Sequence, residues 1–152
     1  MDITAEQVKK IREETGAPVM EIRKALMEAN GDETLAKEIL KERGLEKAAE
    51  RTERETAQGL IEAYVHPDAR VGAMVHLACE TDFVARTSEF KTLAHEIAMQ
   101  VASMNPQSVE ELIEQEYIRD PAKKVCDLVA EVAAKTGENI QVKSIARFEL
   151  GG

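Results

Sequence analysis

The chain has 152 residues and a formal charge of −9, from 29 acidic and 20 basic side chains. That length holds one ordinary domain, or a small one beside a medium one. The acidic balance disfavours non-specific nucleic-acid binding, which needs Lys and Arg clustered at phosphates, and equally an acidic partner surface.

Thr4-Ala5-Glu6-Gln7 fits a capping box that opens a first helix, with Val8 and Ile11 on its inner face and Gly16 ending it. Pro18 suits the first position of a second helix, whose apolar stripe is Val19, Ile22, Leu26 and Ala29. Asn30-Gly31 closes that helix. Asp32 caps a third, with Leu35, Ile39 and Leu40 inside and Gly44 as its stop. Residues 1–44 are therefore expected to form a three-helix bundle. Residues 45–58, dense in Glu, Lys, Arg and Ala, read as a solvated, partly helical connector.

From 59 to 152 the pattern is mixed. Leu60 to His66 alternates, with Ile61, Ala63 and Val65 on one side and Glu62 and Tyr64 on the other. Pro67-Asp68 turns the chain into an apolar run, Val71 to Cys79, so a hairpin is expected. Phe90, Leu93, Ala94, Ile97, Val101 and Met104 recur at helical spacing between Thr87 and Asn105-Pro106. Ser108-Val109-Glu110-Glu111 reads as another capping box. Asp120-Pro121 reads as the start of a helix carrying Val125, Leu128, Val129 and Val132 and stopped by Gly137. A last strand alternates through Ile140, Val142, Ala146, Phe148 and Leu150. The fold class is α+β, an antiparallel three-stranded sheet packed against helices.

Between strand and core helix lies Glu80-Thr81-Asp82-Phe83-Val84-Ala85-Arg86. A turn serving the fold alone favours Gly, Asn or Pro for backbone geometry. This one carries an Asp and a Phe side by side at the tip of a scaffold. Taken alone, Asp82 reads as a turn residue or helix cap, and Phe83 as a core aromatic. Thr81-Asp82-Phe83-Val84, preceded by Ala78-Cys79-Glu80, resembles the signature loop of the elongation factor Ts family. Ile11 to Leu26 is similar to that family's N-terminal signature, and Thr136-Gly137-Glu138-Asn139-Ile140 and Arg147-Phe148-Glu149-Leu150-Gly151 match its closing segments.

The resemblance implies a non-enzymatic guanine-nucleotide exchange factor for the translational GTPase elongation factor Tu, without a cofactor. It implies that Thr81, Asp82, Phe83 and Val84 project into the GTPase near its magnesium and phosphate site. It also implies a ubiquitin-associated-like bundle whose Lys9, Arg12, Val19, Met20 and Arg23 contact the GTPase domain. The bland alternative for those five is a solvated basic face beside core positions. Met20 lies off the apolar stripe, and a partner gives a reason for an exposed Met there. The chain departs from the family pattern at Ile11, Pro18 and Arg23. It also carries only a short segment between Asn105 and Asp120, where relatives have a longer helical insertion.

Longer relatives carry two related halves, the second resembling His66-Pro67-Asp68-Ala69-Arg70-Val71-Gly72 here. One half holding both features predicts a homodimer, with His66 a partner contact near Phe83 of the other subunit. Cys79 and Cys126 sit in apolar segments and read as buried thiols of a cytosolic protein, not as a disulfide framework. His66, His76 and Cys79 match no metal-ligand spacing, so no metal is expected. No leader precedes Asp2 and no apolar run reaches membrane-spanning length, which predicts a soluble cytoplasmic protein. Two rivals remain: a ubiquitin-associated-type peptide-binding adaptor on a dimerising scaffold, and an acid/base enzyme using Glu80 and Asp82.

Overall fold

A computed structural model describes residues 2–152, at positions 45 and 47–49 by backbone alone. It divides into two compact units, Met1–Arg51 and Thr52–Gly152. The first contains helices α1 (Ala5–Thr15), α2 (Val19–Glu28) and α3 (Glu33–Arg51). The backbone N–H of Gln7 donates to Thr4 Oγ1 at 3.2 Å while that of Thr4 donates to Gln7 Oε1 at 3.1 Å, closing the expected capping box. Gly16 stops α1 at φ +70°, a conformation that costs a residue with a Cβ but not glycine.

Ile11, Ile22, Ala25, Leu26, Ala29 and Ala36 form the core of this unit, with Val8, Ile39 and Leu40 packed on it. Three sequence expectations fail here. Pro18 is the extended residue before α2 and not its first helical residue, which leaves Val19 at the helix end, exposed. Leu35 is exposed as well, because Ala36, Ile39 and Leu40 supply the inward i, i+3, i+4 face. Gly44 does not stop α3. A helical glycine costs only about 1 kcal/mol relative to Ala, and the Leu45–Arg51 stretch that follows is rich in strong helix formers.

The second unit is α+β. Strands β1 (Gln58–Val65), β2 (Val71–Cys79) and β5 (Gln141–Glu149) form an antiparallel sheet in the order β1-β2-β5. Between β2 and β5 run α4 (Asp82–Ala85), α5 (Ser88–Met104), α6 (Val109–Glu114), the short hairpin β3 (Glu116–Tyr117) and β4 (Asp120–Lys124), and α7 (Val125–Thr136). Odd residues of β2, Ala73 to Cys79, face Phe90, Leu93, Ala94, Ile97 and Val101 of α5. Each large side chain buried there stabilises the unit by roughly 1.5–3 kcal/mol. Gly59, the second residue of β1, has φ +142°, and a Cβ there would lie 2.1 Å from the Leu77 carbonyl oxygen.

Three details of this unit differ from the sequence pattern. In β1 the inward side is Leu60, Glu62 and Tyr64, so the more apolar Ile61, Ala63 and Val65 face outward. The even positions of β5 do not share a face. The register with β2 shifts between His76 and Leu77, where Lys143 is skipped, so Val142 and Ile145 pack on the core while Ala146 and Phe148 are exposed. A bulge inserts one residue, and one residue inverts side-chain parity. Asp120-Pro121 starts a strand. The helix begins at Val125, where Asp127 accepts from the Lys124 N–H at 2.8 Å.

Candidate functional site

The turn after β2 is one helical turn held between two threonine caps. Thr81, extended, accepts the Val84 N–H at Oγ1 (3.3 Å) and so caps α4. Thr87 accepts the Phe90 N–H (3.3 Å), capping α5, and its hydroxyl donates to the Val84 carbonyl at 2.7 Å. Val84 and Ala85 enter the hydrophobic core. Helical residues advance by about 100°, so once two neighbours point in, the preceding pair must point out. Asp82 and Phe83 are that pair. Phe83 is 82% exposed, against 0% for Phe90 in the next helix. The Asp82 carboxylate meets Arg86 one turn on, at 2.8 Å, with both groups in solvent.

A second segment fixes the turn from behind. Glu138, in the connection between α7 and β5, accepts the backbone N–H groups of Glu80 and Thr81 at one oxygen, both at 3.0 Å. Its other oxygen accepts the Thr81 hydroxyl at 2.6 Å. In return, Glu80 accepts the Asn139 N–H at 2.7 Å, and the buried Asn139 amide donates to the Arg54 carbonyl at 2.8 Å. Arg54 closes the set by donating to the Gly137 carbonyl at 3.2 Å. The Cys79 thiol donates to the Thr81 carbonyl at 3.1 Å, and burial, reinforced by the nearby Glu138 carboxylate, pushes its pKa up, so it stays a thiol.

The residues singled out from sequence are thus distributed as follows. Thr81, Asp82 and Phe83 lie at the surface of the turn, while Val84 is its anchor in the core. Lys9 and Arg12 on α1, and Val19, Met20 and Arg23 on α2, are all exposed, Met20 at 65%. No ion pair joins Lys9, Arg12 or Arg23 to a described residue, whereas Lys10 meets Glu33 at 2.9 Å and Lys37 and Arg43 meet Glu14 and Glu28. His66 sits in the β1–β2 turn, 3.0 Å from Asp68. A bond from the Arg70 N–H, with His66 beside it, holds the Asp68 carboxyl below its ordinary range. The nine residues of β2 separate that turn from the Asp82–Phe83 end, about 30 Å at strand rise. His66 and Phe83 therefore do not meet within one chain. His76 and Cys79 lie on opposite faces of β2.

Sequence reasoning assigned no function to Arg86, Glu138, Asn139 or Arg54. The signal for Glu138 was the matching Thr136–Ile140 segment, but its partners lie 57 and 58 residues upstream. The outer face of the sheet also exposes large apolar side chains, Ile61, Val65, Met74 and Phe148, with Leu150 beyond the end of β5. No described helix is long and apolar enough to cross a membrane.

A family model described as Elongation factor TS matches residues 80–152, the part of the chain that contains both the turn and the Glu138 segment. Elongation factor Ts of Thermoanaerobacter sp. (strain X514) is 40% identical over 194 aligned positions, covering 98% of this chain and 95% of the relative. The Herpetosiphon aurantiacus protein of that name is 38% identical, covering 99% of each chain. The Thermotoga maritima one is 40% identical, covering 99% of this chain and 98% of its own. An alignment of 194 positions against 152 residues leaves at least 42 that only the Thermoanaerobacter relative fills, so this is a shortened form. With likeness running end to end, and with the signature turn folded outward on a braced base, the chain belongs to the elongation factor Ts family of translation factors.

Proposed function

We propose that the chain is a guanine-nucleotide exchange factor that docks on GDP-bound elongation factor Tu in the cytoplasm and promotes GDP release, without covalent chemistry of its own. The observation that carries this reading is the outward Phe83 ring beside Asp82, on a turn whose next two residues are locked in the core. An apolar ring inserted between elements of the GTPase favours a conformation with its nucleotide-binding loops displaced. A carboxylate arriving beside a magnesium–phosphate centre adds repulsion to the bound nucleotide. The exposed Asp82–Arg86 pair contributes about 0–1 kcal/mol, so docking can separate it at small cost.

Coupling sets the size of the effect. A factor that weakens nucleotide binding is itself weakened by the same ratio when nucleotide rebinds. Each tenfold loss of nucleotide affinity requires about 1.4 kcal/mol of factor binding. Burying one Phe supplies roughly 1.5–3 kcal/mol, one or two decades. A second anchor is therefore needed, and the exposed Lys9, Arg12, Val19, Met20 and Arg23 on the bundle are assigned to it. A homodimer completes the proposal, with the outer sheet faces of two protomers packed together. An apolar stripe through Ile61, Val65, Met74 and Phe148 in an otherwise acidic protein supports it. His66, remote from its own Phe83, is then available to a site that two chains build.

The test is release of labelled GDP from elongation factor Tu. The wild-type chain is expected to accelerate it, and Phe83→Ala to lose about ten- to a hundredfold of that acceleration. Deleting residues 1–51 is expected to raise the factor concentration needed. No acceleration by the wild type overturns the reading, and full acceleration by the deleted chain moves the bundle to the adaptor role.

A further inference from the structure

We propose that Glu138 is the positioning residue of the exchange step, setting the direction in which Phe83 is presented, an inference that rests on the exchange reading. Three donors converge on its carboxylate: the N–H groups of Glu80 and Thr81, and the Thr81 hydroxyl. That hydroxyl oxygen also accepts from Val84 and so caps α4. Glu138 therefore fixes the Thr81 side chain, Thr81 fixes the start of α4, and α4 carries Phe83. One carboxylate controls the aim of a ring that it does not touch.

The support is itself immobilised. Asn139 and Ile140, next to Glu138, are both buried, the first bonded to the Arg54 carbonyl and the second in the core. Glu80 answers by accepting the Asn139 N–H. The two segments thus hold each other by reciprocal side-chain-to-backbone bonds. Asp82 and Phe83 project from the turn between the capping Thr81 and Val84, whose side chain is buried in the core. The donors lie at a partly exposed edge, so water can replace the carboxylate when it is removed. Its loss is expected to loosen the turn without unfolding the unit.

A loosened turn must be ordered again each time it enters the GTPase. Fixing one residue's backbone corresponds to about tenfold in rate. Glu138→Ala is expected to lower the maximal rate of GDP release about tenfold while the half-saturating factor concentration stays within about twofold, because the bundle docks as before. Glu138→Gln retains an oxygen for the two N–H groups, and its amide can donate to the Thr81 oxygen. It is expected to recover most of the rate. Glu138→Asp keeps the charge but is one methylene too short to reach, and is expected to behave like the alanine variant.

The experiment measures labelled-GDP release from elongation factor Tu at several factor concentrations for these three variants, wild type and Phe83→Ala. Thermal midpoint and amide exchange of Glu80, Thr81 and Val84 are followed in the free chain. Faster amide exchange and a reduced maximal rate in the Ala and Asp variants, with recovery in Gln, is the expected result. Activity surviving in Asp but not in Gln means that the charge and not the geometry matters, and overturns the inference. So does a lowered thermal midpoint with unchanged rate per folded molecule, which is a structural role only. A wild type without effect sinks the exchange reading too. An active wild type and a slow Phe83→Ala beside an unimpaired Glu138→Ala sink this inference alone.

Discussion

The bundle and the turn after β2 present their exposed residues on different kinds of support. Lys9, Arg12, Met20 and Arg23 stand on helices ordered by local devices: a capping box at Thr4, a left-handed Gly16 and a small core around Leu26. Asp82 and Phe83 stand on a turn held by bonds that span 57 to 59 residues and by two neighbours sunk in the larger core. The first construction gives a broad patch in which each side chain acts almost alone. The second aims a single ring, and its direction depends on residues far away in sequence and on two neighbours buried beneath it. Substitutions should therefore have graded, separable effects on the bundle and strongly context-dependent ones around the turn.

Two phenylalanines seven positions apart test this most severely. Phe90 is fully buried against β2, and Phe90→Ala is expected to destabilise the second unit by about 3–5 kcal/mol, seen as a lower thermal midpoint. Phe83→Ala, at an exposed position, should stay within about 0.5 kcal/mol of wild type even as exchange is lost. If the second variant melts earlier as well, Phe83 is structural and the contrast fails. Leu26→Ala comes next. Its expected cost of about 2–5 kcal/mol falls on a small core and should abolish amide protection across α1 and α2 while β2 and α5 stay protected.

A third intervention addresses the outer sheet face. Phe148→Asp puts a charge into the proposed protomer contact at a position where the side chain is 75% exposed in one chain. Sedimentation should report a monomer at micromolar concentration, with the single-chain fold intact by circular dichroism. A wild-type monomer with full exchange activity removes the dimer from the scheme.

What the sequence made legible follows from the range of each signal. Thr4–Gln7, Gly16, Asn30-Gly31 and Gly137 act within a few residues, and all mark real boundaries. Gly44 and Asp120-Pro121 look like the same signals, yet one lies inside a helix and the other opens a strand. In both, the neighbours decided: strong helix formers carried α3 through, and pairing with Glu116–Tyr117 drew Asp120–Lys124 into a hairpin. The parity of β5 was illegible because a single bulge opposite β2 reverses it, and nothing local announces the extra residue. The exposed turn itself was legible by resemblance. Its brace was not, since Glu138 meets Thr81 only once the sheet and α7 are in place.

The smallest expected effect separates docking from displacement. Lys9, Arg12 and Arg23 are exposed cations without a described ion-pair partner, so each is free to meet a carboxylate on another protein. An exposed pair of that kind contributes about 0.2–1 kcal/mol, up to about fivefold in affinity. Arg23→Ala should accordingly raise the half-saturating factor concentration a few-fold and leave the maximal rate of GDP release unchanged. Salt should erase the difference, because at 1 M the screening length falls to about 3 Å. The deficit of Phe83→Ala rests on apolar burial, which salt does not screen, and should persist. An Arg23→Ala defect that survives high salt, or that appears in the maximal rate, would assign that residue to displacement and dissolve the division of labour between the two regions.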